Sequence, residues 1–156
     1  MIPFAKHLGT WHGTNDFRLM PTDPFHTAPA GATVLRAAGG NLATITYNWA
    51  HPEDGEQSGQ LVVGPGEEEG AVVGFWGDSW HQHPSPRMLL GTVENDVVTV
   101  GYEYAEGWWW RIIVDLTDQA ALHLRMDNVV PEAAGDATFT GGAYSAMVTS
   151  LTRSAS

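Results

Sequence analysis

Leu42-Ala43-Thr44-Ile45-Thr46-Tyr47-Asn48-Trp49-Ala50-His51 alternates without a break. Ile45, Tyr47, Trp49 and His51 fall on one side of an extended chain; Thr44, Thr46 and Asn48 fall on the other. Successive side chains of a strand point to opposite faces, so this stretch reads as a strand with one aromatic and one small polar face. Such a strand suits the wall of a barrel. The same aromatic face also suits plain core packing.

Working outward, the pattern repeats along the chain. Residues 8–19 and 32–38 read as strands upstream, with Gly39-Gly40-Asn41 as the turn before residue 42. Residues 57–63, 71–80, 87–93, 97–104, 108–116, 121–128 and 143–153 follow as strands. Hairpin-length loops join most of them, and no helical period persists beyond about two turns. Two connections are longer, residues 20–31 with three prolines and residues 130–142 rich in Ala and Gly. Long loops in compact domains often form lids or the mouths of sites. A meander of about ten strands leaves two exposed edges unless it closes on itself. The expectation is therefore an all-β fold, one closed antiparallel up-and-down barrel of about ten strands.

Composition bounds the function. The 156 residues, 43% hydrophobic and 16% charged, fit one globular domain over residues 1–156. The 7 Lys+Arg against 18 Asp+Glu give a formal charge of −11, so nucleic acid and anionic lipid surfaces are not expected partners. With no cysteine there is no disulfide, thiolate nucleophile or Cys-ligated zinc. The first residues lack the apolar run of a signal peptide, and no stretch approaches the ~20 apolar residues of a membrane helix. The expected location is cytoplasmic.

Leu8-Gly9-Thr10-Trp11-His12-Gly13-Thr14-Asn15 stands near the start, and Val148-Thr149-Ser150-Leu151-Thr152-Arg153 near the end. A Gly-x-Trp on the first strand with a basic residue ending the last resembles the calycin signature of lipocalins and their relatives. The resemblance implies a calycin/lipocalin-like barrel in which Trp11 plugs one end and Arg153 packs across it. Gly9-Thr10-Trp11-His12-Gly13 also resembles the ten-stranded nitrobindin-like barrels. Phe17-Arg18-Leu19-Met20-Pro21, the residues 76–82 and Met126-Asp127-Asn128-Val129-Val130-Pro131 resemble a bacterial domain family of unknown function in the same superfamily. Nitrobindin-like haem barrels take their axial histidine from the last strand. Here no histidine follows His123, which leaves Tyr144 or His81 as the ligand in a haem reading.

Trp76-Gly77-Asp78-Ser79-Trp80-His81-Gln82-His83 is the densest run of chemistry-bearing residues. Alternation groups Asp78 with Trp76, Trp80 and Gln82, and groups Ser79 with Phe75, His81 and His83. Polar groups among aromatics can orient a ligand and move protons. The same groups can instead bind turn backbone where a strand ends. Either a bulge occurs here or only part of the set faces inward. His81 and His83 lack diagnostic spacing to a third ligand, so no metal site is expected.

In Trp108-Trp109-Trp110-Arg111, alternation sends Trp108 and Trp110 to one face and Trp109 to the other. Trp109 outside beside Arg111 makes homodimerisation one expectation. Tyr102 and Tyr104 share a face. The leading expectation is a binding protein for a small, largely apolar or aromatic molecule, with no cofactor. Its cavity would be walled by Tyr47, Trp49, Phe75, Trp108, Trp110 and Tyr144. His81 would be the polar anchor at the mouth, with Asp78 as its support. The rival is a small barrel enzyme of isomerase, cyclase or lyase type, with Asp78 or His81 as acid/base and Tyr102 or Tyr104 as donor.

Overall fold

Alternating Val, Ile, Thr and aromatic runs punctuated by glycine build strands throughout. The computed structural model describes residues 2–155. In chain order the strands are β1 Gly9–Phe17, β2 His26–Ala37, β3 Leu42–His51, β4 Gly55–Pro65 and β5 Ala71–Asp78. They continue as β6 Arg87–Glu94, β7 Val97–Ala105, β8 Trp108–Asp115, β9 Ala121–Val130 and β10 Gly142–Arg153. Each strand pairs antiparallel with the next, and β1 pairs with β10, so a single sheet closes into a barrel without free edges. Two short 3₁₀ turns, Ala38–Gly40 and Glu132–Ala134, are the only helical segments among the described residues. No helix is long and apolar enough to cross a membrane.

The β6–β7 hairpin shows local chemistry setting the register. Asn95 and Asp96 both adopt positive φ, 51° and 63°, as a two-residue turn matched to strand twist requires. β2 begins earlier than the sequence suggested, because residues 26–31 pair with β1 despite Pro29. β3 pairs with β2 only from Gly31 onward, so Pro29 sits where β2 has one neighbour, a position that tolerates a missing N–H.

The middle of the barrel is filled. Val34, Leu61, Leu89, Val100, Ile112 and Met126 have no accessible area, so no water-sized void touches them. This packing resembles a small barrel whose lumen side chains fill it, and it confines openings to the two ends and the outer wall. Burying these side chains stabilises the fold by ~1.5–3 kcal/mol each.

One end is plugged. Trp11 is opposite Arg153 in the β1–β10 register, and the Arg153 guanidinium lies 4.5 Å from the indole centroid. Trp11 Nε1 donates to His7 O at 2.8 Å, and His7 stacks on the indole. Arg153 also donates to Leu8 O and Lys6 O, which ties the N-terminal segment over the end. Phe4 and Leu116 are buried beside it. The other end is ringed by the connections after β1, β3, β5, β7 and β9 and carries the remaining aromatics.

Candidate functional site

β3 ends at this open end and supplies Tyr47, Trp49 and His51 to the interior. β5 ends there too, with Trp76 and Asp78 inward. After Asp78 the chain leaves the strand in a tight turn. Asp78 Oδ1 accepts from the backbone N–H groups of Trp80 and His81, both at 2.8 Å, and Asp78 N donates to Gln82 O. This turn, rather than a bulge, breaks the alternation and lets Asp78 and His81 both reach inward. Ser79 faces out and bonds Gln57 and the Ser58 backbone.

The second oxygen of Asp78 organises the layer beneath. Tyr47 OH donates to Oδ2 at 2.6 Å, and Trp76 Nε1 donates to Tyr47 OH at 2.9 Å. Trp49 Nε1 points at the same oxygen at 3.4 Å. Gly59 makes this approach geometrically feasible, since a Cβ there would fall 2.2 Å from the Tyr47 hydroxyl. Burial works against charge on Asp78. His81 beside it, the Tyr47 hydroxyl and the His81 backbone N–H outweigh that and hold the carboxyl below the usual carboxylate range. Burial first, then the charge of Asp78, pushes the Tyr47 hydroxyl well above the usual phenol range.

His81 is boxed by aromatic rings. Its centroid lies 5.1 Å from Trp49, 4.9 Å from Trp80, 5.1 Å from Trp110 and 6.0 Å from Phe17. Nδ1 sits 3.5 Å from Asp78 Oδ1, within ion-pair reach, yet neither ring nitrogen has a hydrogen-bond partner. The indole nitrogen of Trp110 is also buried and unpartnered. Buried polar atoms are normally paired, so three unpaired atoms around one contact call for an explanation.

Above this layer lies a recess of about 200 Å³, between the β1–β2 and β9–β10 loops. Trp108, Val130 and Tyr144 line it from the barrel, Met20 and Pro21 from one loop and Phe139 from the other. Asn128 also lines it. Asn128 Oδ1 accepts from Tyr104 OH at 2.6 Å, Nδ2 donates to Tyr144 OH, and Tyr144 OH donates to Leu19 O. Tyr102 OH donates to Gln82 Oε1. Burial pushes the hydroxyls of Tyr102 and Tyr104 above the usual phenol range, so both act as donors at neutral pH. A larger hollow of about 580 Å³ lies on the outer wall of β7–β10. It holds no Phe, Tyr or Trp side chain, and its Arg125 and Asp127 are paired with each other.

The residues singled out in the sequence thus separate into groups. Trp108 and Tyr144 line the recess. Tyr102 and Tyr104 lie beside it. His81 and Trp110 meet in the layer below. Tyr47 and Trp49 are inward but packed solid, 2% and 0% exposed, which corrects their expected place as cavity walls. Phase alone misplaced Phe75: it pairs laterally with Met88 on the outer wall and is 50% exposed, while Trp76 takes the inward position. Trp109 faces outward, 38% exposed. The His81 side chain is turned inward and His83 is exposed, so the two do not converge. Asn128, Phe139 and Asp136 were not singled out as site residues. The available signal was the length of residues 130–142 and the lone aromatic within it.

A haem does not fit these groups. The Tyr144 hydroxyl is committed to Leu19 O and Asn128, His81 is walled in at 7% side-chain exposure, and the recess is below the ~300 Å³ lower bound of ordinary ligand pockets. Compared with known proteins, the sequence matches no protein-family model and no curated protein, so the geometry of the open end carries the functional argument.

Proposed function

We propose that the protein binds a small, flat, largely apolar molecule at the open end of its barrel. The observation that carries this is the recess walled by Trp108, Tyr144, Phe139 and Val130, with the Asn128 carboxamide at its floor. A cavity of about 150 Å³ holds one benzene ring. The 200 Å³ recess therefore suits a body of one or two rings. Two long loops form its rim, as is common for sites carried on a rigid scaffold. The Trp11–Arg153 contact at the plugged end supports grouping the chain with calycin-like barrels.

The test is calorimetric titration with naphthalene-2-methanol, a neutral two-ring probe. Saturable binding to the native protein is expected, weakened at least ~5-fold in Trp108→Ala, in line with ~1 kcal/mol or more for one lost aromatic contact. No binding of this probe or of its charged naphthyl analogues, or equal binding by the variant, would contradict the assignment.

A second reading, acid–base chemistry on an apolar substrate, is favoured by the two unpartnered His81 nitrogens beside ionised Asp78. In it Asp78 fixes the turn and His81 carries the proton. His81→Ala would abolish turnover of a bound carbonyl compound. Turnover retained in that variant would remove His81 from the chemistry.

A further inference from the structure

The recess lacks any basic side chain among the described residues that line it. Resting on its assignment as a ligand site, we propose that its ligand is a small organic cation. The flat apolar body would lie among Trp108, Tyr144 and Phe139, with the positive group, an ammonium or its like, towards Asp136.

Four observations converge. First, Asp136 lines the recess, and no other lining residue carries a formal charge at neutral pH. Second, its carboxylate is held in place: Oδ1 accepts from the Thr138 hydroxyl at 2.7 Å, from Thr138 N at 2.8 Å and from Phe139 N at 3.0 Å. Those bonds, led by the Thr138 hydroxyl, keep the carboxyl below its usual range and hence ionised. Oδ2 accepts none of the hydrogen bonds found among the described residues, so it is open to a ligand.

Third, the walls carry aromatic rings. Phe139 meets Tyr144 edge-on with centroids 5.6 Å apart, and Tyr104 flanks Trp108 at 6.3 Å. Aromatic faces attract cations. Fourth, the polar atoms at the floor are already used inside the protein. Tyr104, Asn128 and Tyr144 bond one another and Leu19 O, which leaves few donors for an anionic head. Arg18 packs against Tyr144, but its guanidinium donates to Ser145 O and Pro21 O and lies over the Phe25 ring. It staples the β1–β2 loop and does not line the recess. The net charge of −11 adds a long-range field that draws cations in.

The experiment uses the whole protein and three probes on one scaffold: (2-naphthylmethyl)trimethylammonium, naphthalene-2-methanol and naphthalene-2-carboxylate. Calorimetry should rank them cation, then alcohol, then carboxylate, with about tenfold between the first two at low salt. Added salt should narrow that gap. Asp136→Asn keeps an acceptor oxygen for the Thr138 and Phe139 bonds but removes the charge. It should bring the cation to within about twofold of the alcohol. Alcohol binding equal to or tighter than the cation's overturns the cation assignment while the ligand site stands. A preference that survives in Asp136→Asn overturns the role given to Asp136. Failure of all three probes to bind overturns both this inference and the site itself.

Discussion

At the plugged end of the barrel, Trp11 is 1% exposed and its indole N–H is satisfied by His7 O. At the open end, Trp110 Nε1 and both nitrogens of His81 are buried with nothing to bond. Among the described residues, one buried side-chain atom, His7 Nδ1, lacks a partner at the plugged end, against these three at the other; a fifth, Asn15 Nδ2, lies along β1. Both ends are built from the same materials, indoles and imidazoles at strand termini. The difference lies in how completely their polar atoms are paired. A plug with its indole N–H satisfied serves stability, whereas an under-paired cluster beside a recess costs stability, which supports the proposal of a ligand at the open end.

That contrast can be broken most forcefully at Trp11. Trp11→Ala should cost about 3–5 kcal/mol in urea denaturation, the usual loss for a buried large aromatic, and leave probe affinity of the folded protein within about twofold. A loss below about 1 kcal/mol would show that the plug is not structural.

Asp78 bridges the two roles. Asp78→Ala leaves the Tyr47 hydroxyl and two turn N–H groups without their acceptor. The expected loss is about 2–4 kcal/mol, with each unpaired buried donor costing ~1–3 and entering water recovering part. Its acid dependence has a definite sign. Asp78 titrates lower in the fold than in the unfolded chain, so its stabilisation is complete above the ordinary carboxylate range. It is lost as the pH falls through that range towards the lowered folded value. Urea midpoints at neutral and acid pH should therefore fall further for the native protein than for Asp78→Asn. An equal fall would show that this carboxylate is not held ionised by its neighbours.

Trp108 lies at the open end and is only partly buried. Trp108→Ala should cost less than about 2 kcal/mol of stability, below the range for fully buried aromatics, while weakening the probe at least ~5-fold. The reverse pattern, high cost and intact binding, would make it an ordinary core residue. The smallest effect is expected at His81. His81→Leu removes two buried ring nitrogens without hydrogen bonds but also the ion-pair neighbour 3.5 Å from Asp78; the two effects offset, and stability should stay within about 1 kcal/mol. A loss above about 2 kcal/mol would mean that the contact with Asp78 outweighs the cost of the unbonded nitrogens.

The Trp11–Arg153 pairing was implied by the resemblance to the calycin signature, whereas period-two alternation made the ten strands and the closure legible, because both depend on local pattern and chain order. It could not place Phe75 correctly, since it was the segment's phase, not its period, that decided which of Phe75 and Trp76 enters the barrel. Tyr47 and Trp49 were read as inward, but sequence does not say whether an inward aromatic meets space or another ring. The recess was missed for a related reason: Asn128, Asp136 and Phe139 come together only when the β9–β10 loop folds over the mouth. Gly59 carried no visible signal either, as its role is set by Tyr47 and Asp78 on the flanking strands.

The seven indole N–H signals of the ¹⁵N-labelled protein report on both ends at once. In an NMR titration with naphthalene-2-methanol, the Trp108 indole should shift most, with Trp110 beneath it following. Trp11 at the plugged end and Trp109 on the outer wall should stay still. Shifts centred on Trp11, or equal across all seven indoles, would contradict the assignment of the open end as the binding site.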